Sequence, residues 1–168
     1  MNTRYDGISR LFHWLMAVLI VWQGLKFFDY INDGKHWIGE NLVPWHVSIG
    51  TLLLVLIIAR LIWLWLKKDQ RPQPVGNPMV VKLGHGLLYL CMFLLPVAGI
   101  SKIIGHGYPL KAFGVELVAK SEGITWLASF GSIHAPLAWL FFALVAGHIA
   151  VALYHQIIKH DDVMHRII

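Results

Sequence analysis

Ten histidines stand in this chain of 168 residues, and five of them interrupt its apolar runs: His13, His46, His85, His134 and His148. His155 follows near the exit of the last run. An ionisable side chain within a membrane-length apolar segment is costly and marks a functional site by default. His134 and His148 are fourteen residues apart. On a helix that spacing returns to within about 40° of the same face after a rise of about 21 Å. His155 lies seven residues further along, still on that face and about 10 Å beyond. A neutral imidazole is a good axial ligand for iron, so a column of histidines on facing helices suits iron held within a macrocycle. His36, His106, His160 and His165 fall in links or the tail and are read as solvated surface residues.

The rest of the metal chemistry is bounded by what the chain lacks. A single cysteine, Cys91, excludes an intramolecular disulfide. No C-x-x-C-H is present for covalent c-type haem, and no Cys₄ set for an iron–sulfur cluster.

Such a histidine column needs apolar elements to carry it. Hydrophobic residues make up 57% of the chain and charged residues 14%, against about 25% charged in a soluble domain. Four apolar runs account for the excess: about 8–28, 42–66, 80–100 and 133–158. Each is long enough for a bilayer core of roughly 30 Å. The expectation is an all-α integral membrane four-helix bundle, one domain over 1–168. Asp6 is placed to N-cap the first helix, Pro44 falls near the start of the second, and Pro96 is placed to kink the third. The link 67–77 is charged and Pro-rich, a solvated turn. The longest link, 101–125, contains YPLKAFGVE, a candidate short interfacial element.

Four spans put both termini on one side. With that side cytoplasmic, nine basic residues lie inside (Arg4, Arg10, Arg60, Lys67, Lys68, Arg71, Lys82, Lys159 and Arg166) and five outside (Lys26, Lys35, Lys102, Lys111 and Lys120). The positive-inside rule therefore predicts cytoplasmic termini. The net charge of +5 reports this orientation. No basic stripe with a recognition motif points to nucleic acid. Trp22, Trp37, Trp45, Trp63, Trp65 and Trp126 sit near run ends, where an aromatic belt belongs.

Helix direction then sorts the histidines into two levels. His46 and His134 come early in helices that run inward, so they share the outer level. His13 comes early in a helix that runs outward, at the level of His148 or His155. Two haems stacked across the bilayer, each held by histidines from two facing helices, account for this pattern. Gly147 precedes His148, Gly84 and Gly86 flank His85, Gly50 lies one turn after His46 and Ala135 follows His134. Small residues there permit close approach of a porphyrin, although they equally let bare helices pack. The length of the last run leaves the inner partner of His13 open between His148 and His155.

At this point the sequence resembles the bacterial cytochrome b561 family, four-helix di-haem b proteins of the inner membrane, over essentially its whole length. The resembling segments are RYDGISRLFHWLMA, WHVSIGTLLLVLIIARLIW, LGHGLLYLCMFLLPVAG and GHIAVALYHQIIKHDDVMHRI. The resemblance implies two non-covalent, bis-histidine b haems, with His46 and His134 holding the outer one and His13 and His148 the inner one. It also implies ubiquinone as an exchangeable electron acceptor. His85 and His155, with Lys82, are the candidate quinone site on the cytoplasmic side, because a quinone carbonyl needs a hydrogen-bond donor and its reduction needs protons. Arg10 and Arg60 are candidate partners for the haem propionates.

The activity the resemblance implies is superoxide oxidation at the periplasmic face, with the electron passing from outer haem to inner haem to ubiquinone. A basic outer surface would steer that anion, yet five outer acids (Asp29, Asp33, Glu40, Glu116 and Glu122) match the five outer lysines. Clustering of Lys102, Lys111 and Lys120 would restore a local patch. Two other functions fit the same residues: an electron-carrying membrane anchor for a periplasmic redox partner, and a non-redox transporter using the histidine column. The absence of Asp or Glu within the apolar runs argues against the transporter.

Overall fold

The computed structural model describes residues 4–161 and 163–168. Among these, four helical stretches are long and apolar enough to cross a membrane: Gly7–Tyr30, Trp37–Leu66, Pro78–Gly105 and Thr125–Lys159. The molecule is an all-α membrane bundle.

Helix α1 (Gly7–Gly24) starts where the sequence predicts. Asp6 caps it, its carboxylate accepting from the Ser9 amide at 3.0 Å and the Ser9 hydroxyl at 2.7 Å. The Trp63 indole donates to the same carboxylate at 3.2 Å, tying the start of α1 to the end of α3. Partial burial works against the Asp6 charge. The hydrogen bonds from Ser9 and Trp63 outweigh it and hold the carboxyl below its ordinary range. A 3₁₀ segment, Leu25–Tyr30, continues α1. The chain then turns through Asn32, Asp33 and Gly34, all left-handed at φ +52°, +51° and +73°.

The short α2 (Trp37–Asn41) and a 3₁₀ turn, Val43–Trp45, precede α3 (His46–Leu66). The second run, expected to turn helical from 42, thus spends its first residues on a turn containing Pro44, and His46 opens α3. Asn77 caps α4 (Pro78–Gly105), its side chain accepting from the Met79 amide at 2.9 Å. This helix continues without a break through Pro96 and past the expected end at 100. The reason is packing: α5 (Thr125–Gly131) lies so close that a Cβ at Gly105 would strike Ala128, and one at Gly131 would strike Lys102. The α4–α5 contact holds the extra turns.

The long link folds into an antiparallel hairpin, β1 (Leu110–Ala112) and β2 (Val115–Val118). Its turn uses Phe113 and Gly114 at φ +52° and +80°, and Ser48 of α3 receives the Phe113 amide at 3.0 Å. Helix α6 (His134–Tyr154) ends in a π-helical turn, His155–Lys159, stopped by left-handed His160.

Among the four long helices the packing runs from α1 to α3 to α4 to α6. The ring closes between α6 and α1 through side chains, with Phe27 against Trp139 and Phe142. The buried core is Met16, Ile49, Leu53 and Ile57, from α1 and α3. Phe141 is the one fully buried residue of α6, seven residues from both His134 and His148.

Beyond α6 the chain folds back over the end of the bundle that carries both termini. The Tyr5 amide donates to the Arg166 carbonyl at 3.0 Å, the Trp14 indole to the Ile167 carbonyl at 3.0 Å, and Arg166 to the Gln73 carbonyl at 2.6 Å. Asp162 of the H-D-D stretch lies outside the described residues.

Candidate functional site

At the hairpin end of the bundle, His46 and His134 each open a helix. Their ring centroids lie 6.0 Å apart and their planes 87° apart. The Nδ1–H of His134 donates to the Leu95 carbonyl of α4 at 2.9 Å. A carbonyl only accepts, so this bond fixes the tautomer and leaves Nε2 with its lone pair, the form in which a histidine ligates metal. Gly99 makes the placement possible: a Cβ there would stand 3.0 Å from the His134 ring. Gln23 of α1 donates to the His46 carbonyl at 3.0 Å, and Gly50 leaves room for the Gln23 amide. The Nδ1 of His46 is buried without a hydrogen-bond partner. A cavity of about 670 Å³, lined in part by Lys26, Asp29, Asp33 and Gly39, reaches His46 from the surface.

At the termini end, His13 of α1 faces His148 of α6, with ring centroids 6.5 Å apart and planes 55° apart. His85 of α4 is also against His148, at 5.5 Å, with its Nδ1–H donating to the Val81 carbonyl at 2.8 Å. Arg60 of α3 completes this level. Its Nη1 is 3.8 Å from the Met16 sulfur, and its guanidinium carbon lies 5.3 Å from the centre of the Tyr89 ring.

The other predicted residues lie further out. The His155 ring pairs through Nδ1 with Asp161 at 2.7 Å and packs edge-on against Tyr154. Among the described ring contacts His85 meets His148, and His155 meets Tyr154. Lys82 is exposed on α4. Arg10 reaches the end of the tail, its Nη1 donating to the Ile168 carbonyl at 2.7 Å, while its Nε is buried without a partner.

Both facing pairs fit an iron held between them. A nitrogen–metal bond of about 2.0 Å on each side, with the ring centre about 1.1 Å behind the nitrogen, sets imidazole centroids about 6 Å apart. The observed separations are 6.0 and 6.5 Å. A Cβ at Gly84, Gly86 or Gly147 would meet nothing within 4 Å, so none of the three is small for the sake of a neighbouring helix. Among the described residues no three of His, Cys, Asp and Glu converge as a bare-metal site.

Spacing alone did not reveal Gln23, Gly99 or the Leu95 carbonyl, because each meets its histidine across the bundle. The signal available was slight: Gly99 stands in a helix that otherwise spends large apolar residues there.

Comparison with known proteins places these features in context. The family model described as prokaryotic cytochrome b561 matches residues 4–168. A protein of Escherichia coli (strain K12) named cytochrome b561 homolog 2 is 30% identical, over 98% of this chain and 91% of that protein. Cytochrome b561 homolog 1 of the same organism is 28% identical, over 97% of this chain and 96% of its own length. A probable superoxide oxidase, CybB of Yersinia pestis, is 26% identical over 99% and 96%.

Proposed function

Because the chain belongs to the prokaryotic cytochrome b561 family, we propose that it carries single electrons across the inner membrane from a periplasmic donor, superoxide first among them, to ubiquinone. Family membership makes it a bacterial membrane protein of electron transfer that uses b-type haem. The finer reading is of one domain holding two non-covalent haems. His46 and His134 would hold the outer one and His13 and His148 the inner one. The supporting observation is the pair of facing imidazoles at each end of the bundle, 6.0 and 6.5 Å apart. Held by two imidazoles, each such group would supply one-electron transfer rather than oxygen binding.

The chain's own residues divide the remaining work. Leu95 and Gly99 fix His134, and Gln23 holds the start of α3. Arg10 and Arg60 are the cations available to propionates at the termini end. The excess of basic residues at that end supports cytoplasmic termini. There Asp161 accepts from the Nδ1–H of His155, so Nε2 would accept from a quinol hydroxyl in the neutral ring and donate to a quinone carbonyl in the imidazolium. His85 lies against His148, and Lys82 adds a cation on α4. Two superoxide anions each give up one electron and leave as dioxygen. Ubiquinone takes those two electrons and two protons to become ubiquinol, and the His155–Asp161 pair is suited to passing the protons.

The test is haem quantitation by pyridine haemochrome, followed by stopped-flow mixing with superoxide and a short-chain ubiquinone. Two b haems per chain and superoxide-dependent quinol formation are expected. A colourless protein, or one haem per chain, ends the two-level reading. Haem reduction without reaction with superoxide removes that donor alone.

One observation favours a second donor, a docked periplasmic redox protein. Lys26 is paired with Asp29, and Lys111 with Glu116 at 3.3 Å. Two of the five outer lysines are thereby neutralised, which weakens any steering of a small anion.

A further inference from the structure

His46 and Arg60 on α3 are fourteen residues apart, the spacing of His134 and His148 on α6. The two helices run in the same direction, so Arg60 stands on α3 at the level where α6 presents His148. The contacts agree. Met16, which meets the guanidinium, is one turn from His13, and Tyr89, which lies under it, is one turn from His85. Each of the four long helices therefore contributes one polar residue to the termini-end level: His13, Arg60, His85 and His148.

The outer level is built differently. Its corresponding residue on α1 is the neutral amide of Gln23. The charged groups whose fields reach His46 are Lys26 and Asp29, which are paired with each other. Lys102 acts on His134, but its side chain is exposed at the end of α4, where water and salt screen it, whereas Arg60 is half-buried. Arg60 has no such compensation. A guanidinium stays protonated in any protein environment, and it forms none of the ion pairs found among the described residues. A thioether and an aromatic face solvate it without cancelling its charge. Its field reaches both His13 and His148.

A fixed positive charge lowers the energy of a nearby group that gains an electron. Building on the two-haem reading above, we propose that Arg60 sets the direction of electron flow, by making the termini-end site the stronger electron acceptor of the two. The step is a transfer of one electron: the hairpin-end group is oxidised, the termini-end group is reduced, and no bond or proton is exchanged. Arg60 acts through its charge: paired with a propionate of the termini-end group, it would offset that carboxylate and raise the same midpoint.

The experiment is a spectroelectrochemical titration of the purified holoprotein, with the two midpoints assigned by repeating it on H134L. In the wild type the termini-end midpoint should be the higher. R60Q should lower that midpoint and leave the other in place, shifting the electron distribution between the sites roughly tenfold, about 59 mV for one electron. R60K, which keeps the charge and loses the planar fork, should hold most of the gap. A wild-type termini-end midpoint at or below the other overturns the proposal without any variant. So does an R60Q protein with both midpoints unmoved, or an R60K protein that falls as far as R60Q, which would assign Arg60 to shape-specific pairing instead. Should R60Q lose haem, the wild-type order and R60K still decide. A single haem in the wild type would sink the two-haem reading itself, before Arg60 is tested.

Discussion

The two ends of the bundle hold histidines in similar pairs but surround them differently. At the hairpin end the pair is clamped: the Leu95 carbonyl fixes one ring, Gly99 lets that ring lie flat against α4, and Gln23 grips the backbone of the other. At the termini end three histidines and an arginine share one level, the flanking glycines face open space, and the chain folds back across the opening. The first arrangement suits a group that must stay in place. The second suits one that must also exchange electrons and protons with a mobile partner. Like residues thus acquire unlike tasks from the backbone groups and charges around them.

The contrast breaks most severely at the clamped pair. His134→Leu should take haem content from two per chain to one, read by pyridine haemochrome, and spare the termini-end spectrum. A full complement in that variant would remove His134 from the ligand set. Gly99→Ala should be milder. It presses a methyl against the His134 ring and strains the bond to Leu95, and loss of such a supporting contact costs roughly 10–100-fold in metal affinity. Retention of haem against apo-myoglobin challenge measures it, and Gly99→Ala behaving as wild type would deny the clamp.

At the other end the expected changes divide between occupancy and rate. His13→Leu should lose the inner haem, whereas His85→Leu and His155→Leu should keep two and slow quinol formation. Haem loss in His85→Leu, with His13→Leu intact, would make His85 the partner of His148. Asp161→Asn should slow quinol formation less than His155→Leu does, since it loosens the ring without removing it.

The smallest effect concerns neither pair. Asp6→Ala should cost about 1 kcal/mol of stability, the usual worth of an N-cap, read by thermal unfolding in detergent. The folded Asp6 carboxyl lies below its ordinary range. Its contribution is therefore complete above about pH 4, the unfolded value, and fades as pH falls through the lower folded value. Wild type and variant should converge in acid.

Much of this was legible in sequence because it is periodic and local. The apolar runs gave the bundle, the fourteen-residue spacing gave two levels on one helix face, and Asp6 announced its helix. What depended on contacts between distant segments was hidden. The β1–β2 hairpin turns on Phe113–Gly114 and lacks the Asn-Gly signal of such turns. Helix α4 outruns Pro96 because α5 packs on its end. The position of His85 against His148 needed two helices brought together, and spacing within either gives no hint of it.

Phe141 and Leu53 are buried midway between the two levels, seven residues from the polar groups on either side, and neither carries a group that can bind or release a proton. On the two-haem reading, electrons pass this zone while hydrogen ions do not. Every turnover then shifts net charge along the membrane normal. The membrane voltage enters the energetics directly, at up to about 2.3 kcal/mol per electron for each 100 mV spanned, so the protein would work as an electrogenic element as well as an oxidoreductase.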